Sequence, residues 1–324
     1  MWTDERIIRL ASRFVPVADE VFRLQSDADL ESRFFQSIAD RGHYRGKGGT
    51  RQGIYICTPN GKLLGSVNSL DADVVLKLMR NGLTAWRALP QSQRLAAPAE
   101  RFKPDRRWEL NYPEDGLVLT SVSRDLESTD AEFPTRTPFW NRDHVWFTRD
   151  EASMWLPEER IVGARHTVPQ EIGMRLARLH LVDDIRGQTI PYAPQEVRAA
   201  QFNTEILSKD ASRLHIRISG HTEAQSDGSW FMQDSIWVPQ HEHPHGMGTD
   251  LLGRAVFDLA SQSFVEFELF ARGEWSGRTQ FNGRKGDDAH GLIGFMFTLA
   301  PRRNTSRVPP GFVDSYNASW ITRP

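Results

Sequence analysis

The chain has 324 residues, more than one hydrophobic core commonly serves, so two domains are expected. Apolar residues make up 39% and aromatics 10%, enough for globular cores, and a net charge of −2 excludes a strong polyanion-binding field. No run interleaves basic and aromatic residues and no stretch reaches the roughly 18 apolar residues of a membrane span, which excludes nucleic acid as a partner and a spanning helix.

In chain order, Thr3 is placed to cap a first helix with Asp4 and Glu5 in its first turn and Ile7, Ile8 and Leu10 on its buried side. Phe14 to Ala18 reads as a short strand. Asp27 to Ala39 places Leu30, Phe34, Phe35 and Ile38 on one helical face, and a Gly- and Arg-rich loop follows from Arg41 to Gly49. Ile54 to Cys57 is a β-branched, apolar strand, Thr58 to Lys62 a turn with Gly61 able to take a positive φ, and Leu63 to Val67 the returning strand. From Asp71 to Leu83, helical spacing of Val74, Val75, Leu78, Met79 and Leu83 sets a helix across the hairpin.

This order of helix, strand, helix, strand, strand, helix over residues 1–89 resembles the thioredoxin superfamily, in particular its uncharacterised bacterial thioredoxin-like members. The resemblance implies a Trp-Cys-x-x-Cys run at the first helix and a cis-proline loop before the third strand. Here the first reads Trp2-Thr3-Asp4-Glu5-Arg6 and the second Thr50-Arg51-Gln52, so the dithiol chemistry is not carried over. The first central strand of that architecture would precede the first helix, and the tail around Trp320 and Ile321 is a candidate to fill its place. The lone cysteine, Cys57, excludes an intramolecular disulfide and is expected to be a small buried hydrophobe rather than a nucleophile.

Residues 90–107 read as a linker or strap, with Pro90, Pro98 and Pro104. Trp108 to Trp155 reads as irregular but packed, since its Trp and Phe side chains bury large areas when covered. Thr167-Val168-Pro169 starts a helix over about 168–181 with Ile172, Leu176 and Leu179 as its stripe. His180 beside Asp183 and Asp184 is read as a solvated helix end, with a His-carboxylate pair as the alternative, and His166 is read equally plainly.

Beyond Arg198 the period turns alternating. Gln201 to Leu207, Leu214 to Ser219, Ala255 to Leu259, Phe264 to Ala271 and Leu292 to Leu299 read as strands, with Val265, Phe267 and Leu269 on one face and Phe264, Glu266 and Glu268 on the other. The expected fold class is α+β: a thioredoxin-like α/β domain, then an antiparallel β-rich sandwich or barrel over 108–324 with one flanking helix.

Two constellations carry chemistry. Trp275, Arg278, Asn282 and Arg284 lie in one Gly-containing run that could shape a loop for an anionic or sugar-like ligand, or an ordinary turn. His241, His243 and His245 alternate along an extended chain and could converge on zinc or, with Met247, copper, with His221 or His290 as a fourth ligand. A cupin assignment is disfavoured, because the next glutamates, Glu266 and Glu268, lie too far along. The expected function is a non-redox thioredoxin-like protein whose β-rich domain binds a small ligand or protein partner; the alternative is a metal-binding protein or metalloenzyme. Whether it is an enzyme stays open, and the chain reads as soluble, either cytoplasmic or a trimmed secreted form.

Overall fold

The computed structural model describes residues 2, 4–18, 21–45, 50–94, 111–126, 140–187, 189–228, 243–280, 282–302 and 307–312. The chain divides into two compact units, Met1–Arg106 and Arg107–Pro324. Among the described residues no helix is long and apolar enough to cross a membrane.

Unit 1 contains helices α1 (Glu5–Ala11), α2 (Val21–Ser26) and α3 (Leu30–Ala39), strands β1 (Ile54–Cys57) and β2 (Leu63–Val67), then α4 (Ala72–Ala88) and α5 (Gln91–Arg94). The cap of α1 is Asp4, whose carboxylate accepts from the Arg6 amide; Thr3 lies outside the described residues. The hairpin forms as its residues dictate, so Tyr55 and Leu64 stand on neighbouring antiparallel strands. Gly61 sits at φ 77, and a Cβ there would also come within 2.7 Å of the Phe34 ring, so glycine is required twice over. Ile56 of β1, Ile7 of α1 and Val75, Leu76 and Met79 of α4 form the core of the unit. Each such side chain contributes roughly 1.5–3 kcal/mol by leaving water.

Residues 14–18 are not a strand, and the described sheet of this unit has two strands only. Cys57 is exposed at the end of β1, because alternation turns its neighbour Ile56 inward. Trp320 and Ile321 lie outside the described residues.

Unit 2 is one antiparallel sheet of eight strands in the order β4-β3-β10-β9-β8-β7-β6-β5. Its strands are β3 (Leu117–Asp125), β4 (Trp140–Phe147), β5 (Arg165–Thr167), β6 (Val197–Lys209), β7 (Arg213–Ser226), β8 (His245–Asp258), β9 (Ser263–Gly277) and β10 (His290–Leu299). All five expected strands are present and longer than expected, in a single sheet with β4 and β5 at its edges rather than a sandwich or a closed barrel. That sheet curls. The Trp155 ring lies 6.0 Å from Phe147 of β4 and 5.7 Å from Phe202 of β6. Those strands are six neighbours apart, so a flat sheet would separate them by roughly 28 Å. Trp155 follows a short helix, α6 (Arg149–Ser153), whose Thr148–Glu151 capping box fixes its start.

The expected helix is α7 (Gln170–Leu179), preceded by Pro169 at its cap. It lies inside the curl, where Ile172 and Leu176 join the main core with Phe202, Ile216 and Phe267. Gly173 permits this approach, since a Cβ there would come within 2.4 Å of the Ala200 carbonyl of β6. The stretch from Trp108 to Trp155, expected to be irregular, contains β3, β4 and α6. The facing of β9 also differs: the register slips at Val256/Phe257, leaving Val265 as an extra, exposed residue. Phe264 therefore turns inward and packs edge-on against Phe257 and Phe267.

Candidate functional site

The sheet's inner face changes character along the strands. At one end it carries Leu117, Leu119, Val145 and Phe147; at the other the same face of β3 and β4 carries Ser121, Ser123, Asp125, Asn141 and Asp143. The segment 180–186, leaving α7, crosses this polar end as a plug. Its apolar members Leu181, Val182 and Ile185 enter the main core. Its polar members bind outward. His180 donates from Nδ1 to Asp143 Oδ2 at 2.8 Å, and Asn141 Nδ2 donates to Asp184 Oδ2 at 2.7 Å. Thus His180 is buried rather than at a solvated helix end, because it pairs with a carboxylate on β4, Asp143, and not with Asp183 or Asp184. His166 of β5 has its Nε2 2.9 Å from the Met154 carbonyl oxygen.

Arg284 fastens the plug from the β9–β10 loop. Its guanidinium donates to both oxygens of Asp183 at 2.7 and 2.8 Å and to both of Asp125 at 3.1 and 2.7 Å. Its Cζ also stands 3.9 Å from the centre of the Trp275 ring. Arg186 adds a bond to Asp125 at 3.0 Å. Burial works against charge on Arg284, but the two carboxylates outweigh it and hold the guanidinium protonated more firmly than a free arginine. Burial likewise pushes Asp143 up, and His180 together with the Gly311 and His144 amides overcomes it, leaving Asp143 below the usual carboxylate range. At Asp184 desolvation outweighs the Asn141 amide and a backbone hydrogen bond, and its pKa rises to about 7, with Asp143 and Asp183 adding to the rise.

The four loop residues expected to bind ligand are therefore engaged with their own protein. Trp275 stacks on Arg284, Arg278 Nε donates to Asp287 at 2.7 Å, and Asn282 accepts from the Arg284 amide at 3.2 Å. Of the histidine tract, His241 lies outside the described residues. His243 pairs with Asp287 through Nδ1 at 2.9 Å. His245 is buried beside Tyr192 and donates from Nδ1 to the His243 carbonyl at 3.0 Å, and burial lowers its pKa. His221 pairs with Asp250 on the outer face, and His290 has its Nδ1 3.3 Å from the Asp288 carbonyl oxygen. Among the described residues no three His, Cys, Asp or Glu side chains are grouped to hold a metal ion.

Cys57 offers little nucleophilic character. Desolvation raises its pKa although Arg41 acts in the opposite direction.

An open polar groove of about 460 Å³ lies where β5, β6 and β7 adjoin. Its wall includes Arg165, Thr167, Asn203, Glu205, Arg217 and Ser219. Arg165 and Arg217 share the single carboxylate of Glu205, at 3.4 Å for Arg165, which leaves one net positive charge. Thr167 donates to Asn203 Oδ1 at 3.0 Å, leaving the Asn203 amide nitrogen to donate elsewhere. Nothing in the sequence singled out these residues. Single outward positions on three strands become neighbours only once the register Thr167↔Asn203↔Ser219 is set.

No protein-family profile, curated protein or solved structure matches this chain.

Proposed function

We propose that this chain is a non-redox binding protein whose eight-stranded sheet takes a small ligand in the groove between Arg165 and Arg217. The observation that carries the reading is the composition of that groove. Two guanidinium groups balanced by one carboxylate suit a single negative charge, and Thr167, Asn203 and Ser219 supply donors and acceptors for hydroxyl groups. The ligand class is a small hydroxylated monoanion of the sugar-acid type, the chemistry the sequence pointed to but at another place. The plug argues for the same division of roles, since its charged groups bind one another.

Unit 1 is read as a shortened thioredoxin-like module without electron exchange. That reading rests on the hairpin and on α4 packed against it, together with a lone thiol whose pKa is raised. A thermal-shift panel of sugar acids tests the binding function. A member should stabilise the wild type in a dose-dependent way and Arg217→Ala much less. Equal shifts in both proteins, or none across the panel, would overturn it.

The second reading is metal binding at His241, His243 and His245. It is favoured by one observation: the His243 carbonyl takes the Nδ1 proton of His245 and so leaves the Nε2 lone pair as the ligating site. Stoichiometric zinc or copper in protein purified without chelator, lost in His243→Ala, would support it; metal-free wild type would remove it.

A further inference from the structure

The outer face of the sheet carries a row of apolar side chains that runs across four strands. Register places Val122 of β3 beside Met296 of β10, Met296 beside Phe270 of β9, and Phe270 beside Leu252 of β8. All four are exposed, at 38%, 36%, 45% and 64%. A contiguous strip of this kind on a sheet face marks a docking surface.

The charges beside the strip indicate what docks there. On one side the adjoining row reads Thr120, Thr298, Glu268, Arg254; on the other it reads Arg124, Gly294, Arg272, Asp250, in the same strand order. We infer that a second copy of this chain packs face to face on the strip, about a two-fold axis lying along the apolar row. That operation sets each apolar side chain against its own counterpart and exchanges the two flanking rows. Glu268 then faces the partner's Arg272, and Arg254 faces the partner's Asp250. Symmetry repeats both, giving four ion pairs around an apolar centre. Within one copy Arg254 bonds Glu268 at 2.8 Å, Arg272 bonds Glu274 at 3.0 Å and His221 bonds Asp250 at 2.9 Å, all exposed pairs that re-partner at little cost.

The patch spans four strands and three outward rows, on the order of 300–400 Å² per copy from strand and residue spacings. Standard interfaces bury about 800 Å² per partner, so the dimer is a reversible one of micromolar strength or weaker.

Sedimentation velocity of the full chain over a concentration series tests this. The wild type should shift reversibly from monomer to dimer. Phe270→Glu, at an outward position, should leave monomer throughout with an unchanged melting temperature. Glu268→Arg and Arg272→Glu should each weaken association about tenfold, and the double variant should recover to within about threefold of the wild type. Met296→Cys in a Cys57→Ser background should be cross-linked between copies by a short bis-maleimide, because the axis passes at that position. A wild type that stays monomeric at the highest concentration would overturn the inference, as would dimerisation indifferent to Phe270→Glu or a double variant no stronger than the single ones.

Discussion

The Asn141 amide on β4 donates to Asp184 across 2.7 Å, reaching a carboxyl group whose burial raises its pKa to about 7. Its folded pKa of about 7 lies above the unfolded value, so its stabilising contribution is complete below about pH 4 and is lost as pH rises through 7. Asp143 has the opposite sign: its lowered pKa contributes stability above about pH 4 that is lost on acidification. Asp184→Asn keeps an acceptor for Asn141 and removes the ionisation. Its stability advantage over the wild type should widen by roughly 3 kcal/mol between pH 5 and pH 8. Urea unfolding at both pH values measures this directly; a pH-independent difference would contradict the burial argument.

Arg284 pairs with buried Asp183 and half-buried Asp125 at once, so its loss strands Asp183 and leaves Asp125 with Arg186 alone. Arg284→Ala should cost about 3–5 kcal/mol, and Arg284→Lys should recover part of that, since one ammonium cannot bridge two carboxylates in the forked geometry. Guanidinium denaturation followed by the fluorescence of Trp275 and its fellow tryptophans gives the values.

How far the sequence spoke for itself varied by element. The hairpin was legible because the turn chemistry of Thr58 to Lys62 and the flanking β-branched run are local signals. Four of the five strands beyond Arg198 were legible because Phe202, Ile216, Ile218, Phe267, Phe295 and Phe297 alternate with less buried residues; β8 was read from the apolar run Ala255-Val256-Phe257. β3 and β4 were hidden for a functional-looking reason: their inward positions Ser121, Ser123, Asn141 and Asp143 are polar, because they face the polar end of the curl where the plug docks. Val265 misled the facing of Phe264 because a bulge has no mark in a pattern of alternation. The groove could not be read at all, since its residues lie about 50 positions apart along the chain (165 to 217) and meet only through strand pairing.

Gly61 is the local test of unit 1. With φ at 77 and the Phe34 ring beside it, Gly61→Val should destabilise this unit by about 2–3 kcal/mol, through backbone strain and displacement of the ring. Hydrogen exchange should show lost protection in β1 and β2 while β6 to β10 stay protected.

The Cys57 thiol, exposed but with a raised pKa, should label with maleimide more slowly at pH 7 than a free cysteine, with its half-maximal rate above about pH 8.5. Insulin reduction by the wild type that disappears in Cys57→Ser would contradict the non-redox reading of unit 1.

The claim on which the functional account stands is the location of the ligand site, and amide chemical-shift mapping tests it most directly. Isotope-labelled protein titrated with the sugar acid that stabilises it should show saturable shifts at 165–167, 203–205 and 217–219, and Arg217→Ala should abolish them. Shifts confined to the loop between Trp275 and Arg284, or to the tract from His243 to His245, would place the site elsewhere and contradict the account.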